Sequence, residues 1–242
     1  MSNQENNRVL PFLWPWNLIN KERGSFTELI KSRRFTIIYL VIIWSIVGVL
    51  GFATTREWEC STTWEMALYC EYAFWVKNLT EAPLVFFRNL LITPFLHNGL
   101  DHILFVSVVG FLIIVQSYEA IFGWKKTALI FLSAYVTVAP FFGMFYNVGI
   151  EIFPESEFMQ FAFARNWMGG SIGMFQVYGA LAIKSKKPFI MLSIPFFFEA
   201  FNLFIFGIDL HISLMHLMST LLGYSIARML IKKRIHNAPK RN

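Results

Sequence analysis

The chain has 242 residues, of which 56% are hydrophobic and 18% aromatic but only 15% charged, and its mean hydropathy is +0.51. A soluble domain of this size carries about a quarter charged residues, so a water-soluble globular fold is excluded. The formal charge of +6 does not point to nucleic acid, because the basic residues punctuate apolar runs, as membrane topology determinants do.

Residues 1–34 form a polar approach in which Leu13, Trp14 and Trp16 suit a membrane interface, and Ser25-Phe26-Thr27-Glu28 fits a capping box opening a short helix. They lack the apolar stretch and small-residue site of a cleavable signal peptide. A membrane domain over residues 35–232 and a basic tail over 233–242 are expected to follow. The domain holds six apolar runs, each near the length of about 20 residues that crosses a bilayer as helix. They are Phe35–Ala53, Leu90–Tyr118, Thr127–Tyr146, Trp167–Ile183, Pro188–Ile208 and His211–Ile231. This predicts an all-α polytopic membrane protein with six transmembrane helices.

Of the 21 lysines and arginines, all but Arg56, Lys77, Arg88 and Arg165 fall on one side of that alternation. Both termini are therefore expected in the cytoplasm, most simply at the plasma membrane, with loops 54–89 and 147–166 outside. Loop 54–89 is long for a connection, is rich in tryptophan and tyrosine, and is expected to be functional or to carry its own structure. Cys60 and Cys70 both lie in it, where an oxidising compartment permits a disulfide but does not require one.

Depth brings three polar side chains to one layer. At 1.5 Å per residue, Ser171 stands about 20 Å from the boundary marked by Lys184, His216 about 24 Å from Lys232, and His102 about 25 Å from Glu119. Ionisable and polar groups at such depth are costly and mark function. Ser171 sits among Gly169, Gly170 and Gly173, and His216 is followed by Ser219 and Gly223; small residues of this kind let helices approach closely. A hydroxyl facing an imidazole is the minimum set for nucleophilic catalysis. No carboxylate is expected as a third member: Asp101 and Asp209 fall near the outer mouth, and Glu199 stands alone in the fifth run. A histidine metal site is disfavoured, since His97/His102 and His211/His216 are each five residues apart and point about 140° apart on a helix. No metal or cofactor is expected.

Over about residues 85–232 the chain resembles the rhomboid family of intramembrane serine proteases. The resemblance rests on Arg88, on the stretch from Thr93-Pro94-Phe95 through His97 and His102 to Phe105, and on Tyr118-Glu119-Ala120-Ile121-Phe122-Gly123. It rests further on Gly169-Gly170-Ser171 with Phe175 and Gly179, and on His216 with Ser219 and Gly223. It implies a six-helix rhomboid-like bundle with Ser171 as nucleophile and His216 as base. His102 and the backbone N–H of Ser171 would stabilise the oxyanion, with His97, Gly169, Gly170 and Gly173 in support. The partners implied are transmembrane protein substrates within the lipid bilayer, met by loop 54–89 and the phenylalanine-rich fifth run; no nucleic acid is implied. The chain departs from the family pattern twice. Ile172 stands where a glycine follows the serine, and Val106 stands where an asparagine donates to the oxyanion. Ser107 is a poor substitute for that donor because it lies on a different helix face. The departures also fit a rhomboid-like pseudoprotease that binds transmembrane clients without cleaving them.

Overall fold

A computed structural model describes residues 8–13, 26–53, 60–206 and 209–236. The proposed capping serine Ser25 and the interfacial Trp14 and Trp16 lie outside the described residues. In chain order the elements are α1 (Phe26–Ser32), α2 (Arg34–Leu50), α3 (Trp64–Tyr72), β1 (Phe74–Trp75), α4 (Asn78–Glu81) and α5 (Pro83–Ile92). There follow α6 (Leu100–Leu104), a π-helical stretch (Phe105–Val115) and α7 (Gln116–Phe122), which run on as one helix, then α8 (Trp124–Ile152) and α9 (Glu157–Ala164). The remainder is β2 (Asn166–Trp167), α10 (Ser171–Leu181), α11 (Pro188–Phe201) with a π-helical continuation (Asn202–Phe206), and α12 (Leu210–His236).

Among the described residues, four helices are long and apolar enough to cross a membrane: Leu100–Phe122, Trp124–Ile152, Pro188–Ile205 and Leu210–Leu230. The chain is an α-helical membrane protein. Two predicted runs come out differently. The run from Leu90 is broken, because Pro94 offers no amide for helix continuation and Gly99 takes φ 87°, a conformation glycine adopts freely; helix resumes only at Leu100. The run from Trp167 is not a membrane-length helix. Asn166 and Trp167 pair antiparallel with Trp75 and Phe74, and α10 starts at Ser171 and lasts 11 residues before a 3-10 turn over Ala182–Lys184. Every residue of α10 is buried, so this short helix is the centre of the bundle, flanked by α8, α12 and the π-helical stretch. The first run forms α2, 17 residues long.

The β1–β2 pair ties loop 54–89 to loop 147–166 at one end of the bundle. Within the described part of loop 54–89, Cys60 and Cys70 form a disulfide, and Asn89 Nδ2 donates to the carbonyls of Glu71 (2.8 Å) and Ala73 (2.7 Å). The loop thus carries its own structure. At the other end, residues 8–13 lie along the bundle: Leu13 N donates to Ser117 Oγ at 2.8 Å and Lys186 N to the Arg8 carbonyl at 2.9 Å. Helix α2 has no side-chain cap of its own. Glu119 supplies one, accepting from Phe35 N (2.7 Å), Thr36 N (2.9 Å) and Thr36 Oγ1 (2.8 Å). That anchor fixes α2 beside the core, where Tyr39 stacks on Phe111 with ring centroids 3.9 Å apart.

Candidate active site

Ser171 is the first residue of α10 and 6% exposed. It follows a peptide pinned from two sides. Gly169 N donates to the Thr93 carbonyl at 3.1 Å, and its own carbonyl accepts from Tyr135 Oη at 2.7 Å. Gly169 has φ 111°, and a Cβ there would lie 2.2 Å from His102 Cε1, so only glycine can hold this turn against the imidazole. As the first residue of a helix, Ser171 sits where backbone N–H groups have no intrahelical partner and carry the positive end of the helix dipole.

His216 projects from α12 and is 8% exposed. Its Nε2 lies 2.8 Å from Ser171 Oγ, and its Nδ1 lies 2.8 Å from Glu199 Oε1 on α11. Glu199 is 2% exposed, and its other oxygen accepts from Ser213 Oγ at 2.7 Å. The ring of Phe175, one turn along α10 from Ser171, stacks on the imidazole at 4.3 Å. With a neutral imidazole, one hydrogen-bonding pattern satisfies all three groups. A carboxylate accepting from Ser213 also accepts from His216 Nδ1–H, which leaves Nε2 unprotonated to accept from the serine hydroxyl.

The expectation that no carboxylate stands well placed beside the histidine is therefore corrected: Glu199 is in contact with His216 Nδ1. Asp209 instead pairs with Arg165 at 2.7 Å, and burial pushes its carboxyl up against the pull of that guanidinium. Asp101 is exposed. A positional signal for Glu199 existed. It stands 17 residues before His216, a spacing at which two antiparallel helices with a short connection can bring their side chains to one depth.

The glycines flanking Ser171 are also reassigned. They do not admit α12. A Cβ on Gly169 would meet His102, one on Gly170 would meet Tyr39 Oη at 2.0 Å, and one on Gly173 would meet the Phe131 ring at 2.6 Å. Close approach of α10 to α12 is made further along, where a Cβ on Gly179 would lie 1.8 Å from the Thr220 carbonyl oxygen and one on Gly223 1.9 Å from that of Gln176.

His102 lies against Gly169, two residues before Ser171. His97 is fully buried behind it, with ring centroids 5.1 Å apart and Nε2 3.4 Å from Tyr39 Oη. Val106 is fully buried, and its Cγ1 would lie 3.4 Å from a Cβ on Gly170. Ser107 is engaged elsewhere, accepting from Trp44 Nε1 at 3.1 Å. His211 stands apart from the cluster, among the rings of Tyr146, Phe161 and Trp167. Among the described residues, no group of three His, Cys, Asp or Glu side chains could hold a metal ion. No family model, curated protein or solved structure matches this chain.

Proposed function

We propose that this protein is an intramembrane serine protease of rhomboid type, cleaving peptide bonds of transmembrane segments. The observation that carries the proposal is the 2.8 Å contact between Ser171 Oγ and His216 Nε2 at a buried helix start. In the reaction, His216 takes the hydroxyl proton as Ser171 attacks a scissile carbonyl. The Ser171 backbone N–H and His102 stabilise the oxyanion. His216 then protonates the leaving amine, and water hydrolyses the acyl-enzyme. A substrate helix must first loosen, because a carbonyl locked in a helix is not open to attack. The test is covalent labelling of the purified protein with a fluorophosphonate, followed by peptide mass mapping. Adduct on Ser171 is expected, and an unlabelled, folded protein would sink the assignment.

Val106 favours a second reading, a rhomboid-like pseudoprotease that binds transmembrane clients. A fully buried valine beside Gly170 offers no donor to an oxyanion, and one missing donor costs about 10²–10³ in rate. The two readings separate at this position. Val106→Asn should raise kcat on a model transmembrane substrate about ten-fold or more, with little change in KM, because the donor acts only on charge that develops during reaction. A chain inactive before and after that change, and in Val106→Asn/Ile172→Gly, would be the pseudoprotease.

The topology we propose has six membrane crossings, with α2 and the short α10 completing the set, both termini in the cytoplasm and the β1–β2 end outside. Cys60–Cys70 supports it, since that end then faces an oxidising compartment. A single cysteine placed at Lys125 should react with a membrane-impermeant maleimide only after the membrane is opened. Reaction from outside on intact cells would reverse the assignment.

A further inference from the structure

Glu199 is the one acidic residue in α11, a helix otherwise built largely from phenylalanine and aliphatic residues. Its neighbours Phe196, Phe197 and Phe201 are exposed, whereas Glu199 itself is buried. A carboxylate in such a place is costly unless each oxygen has a partner. Here each has one: His216 Nδ1 on one oxygen and Ser213 Oγ on the other. Both partners come from α12, so the carboxylate is aimed by one neighbouring helix.

The position of α11 is fixed by a separate device. Pro195 cannot donate to the Met191 carbonyl one turn back, and Tyr178 Oη on α10 takes that acceptor at 2.7 Å. A proline inside the helix thus becomes a docking point on the helix that carries Ser171. Glu199 lies one turn further along α11, directed at the imidazole whose opposite edge touches Ser171.

We propose, resting on the protease reading, that Glu199 is the positioning residue of a Ser171–His216–Glu199 triad, with Ser213 as the donor that orients the carboxylate. Its task is to hold the imidazole proton on Nδ1, which keeps Nε2 free to take the serine proton, and to stabilise the imidazolium formed after that transfer. No proton passes to Glu199. Among the described residues, His102 on α6 is a further titratable side chain near His216, and it faces Gly169.

The experiment compares Glu199→Gln, Glu199→Asp and Ser213→Ala with the parent in detergent. The readouts are kcat and KM on a transmembrane substrate, and histidine ¹⁵N NMR with His216 assigned through His216→Gln. Glu199→Gln keeps the side-chain volume. It should lower kcat on the order of 10²-fold or more at nearly unchanged KM, and remove the Nδ1–H tautomer of His216. Glu199→Asp should restore part of both, and Ser213→Ala should lower kcat by about ten-fold. A Glu199→Gln protein that turns over at the parent rate with the His216 tautomer unchanged overturns the triad while leaving Ser171 and His216 in place. A parent that neither cleaves nor labels, yet whose His216 tautomer follows residue 199, removes the protease reading and keeps Glu199 as the group that sets the imidazole.

Discussion

Ser171→Ala should abolish fluorophosphonate labelling and lower substrate cleavage by roughly 10⁴-fold or more. Among the described residues, the alanine removes the only hydroxyl bonded to His216 Nε2, and neighbouring groups cannot replace it. Ser219 lies on the base's own helix, and Ser213 is committed to Glu199. The variant should fold as the parent does, because Ser171 Oγ is bonded to the imidazole and loss of one hydrogen bond costs about 1 kcal/mol. His216→Ala should be as damaging. The double variant should be no worse than either single one, because a nucleophile without its base and a base without its nucleophile fail at the same step. Additive losses in the double variant would mean that the two side chains do not act as a unit. Labelling retained in Ser171→Ala would place the nucleophile elsewhere.

Among the described glycines, Gly179→Ala should be the most disruptive change, with Gly223→Ala close behind. The added Cβ would lie 1.8 Å from the Thr220 carbonyl oxygen in the first case and 1.9 Å from that of Gln176 in the second. Both obstacles are backbone, so no side-chain rotation relieves them. Relief requires α10 and α12 to separate by more than an ångström, at a cost of about 3 kcal/mol. A separation of that size also stretches the 2.8 Å Ser171–His216 contact beyond hydrogen-bonding range. Thermal unfolding in detergent and probe labelling should therefore fall together. Gly48→Ala is the matched control: it sits in α2 with nothing within 4 Å of the added atom, and should change neither. Parent-like stability and labelling in Gly179→Ala would show that the helices are not held at backbone distance.

Hydropathy and spacing carried much of the fold, because the apolar runs are long and the basic residues between them are nearly one-sided. They misplaced the entry to two helices. Pro94 and Gly99 break the second run, and a smoothed apolar profile does not register one proline and one left-handed glycine. The start of α10 at Ser171 depends on Asn166 and Trp167 being drawn into a pairing with Trp75 and Phe74, a contact between distant segments. The site was legible where its members carry their own markers: a serine among glycines, and histidines at matched depth. Glu199 was passed over because its relation to His216 crosses a helical hairpin and leaves no periodic trace on either helix. Gly223 was read rightly as a point of close approach to the Ser171 helix, but the assignments of Gly169, Gly170 and Gly173 to that contact failed for a similar reason. A small residue announces close approach but not the partner, and Gly169, Gly170 and Gly173 each face a different one.

On the protease reading, the reciprocal backbone contacts of Gly179 and Gly223 also bear on when the chain gains a reactive serine. The helix with the hydroxyl is synthesised before the helix with the imidazole, and α11 intervenes between them. Until α12 slides into the groove beside α10, Ser171 is an ordinary alcohol with no base to activate it. Reactivity is thus withheld from the growing chain and granted at the final docking of α12. A nascent chain halted before residue 216 would carry the nucleophile through the insertion machinery without threat to the other segments being threaded there. Biogenesis itself would serve as the safety catch.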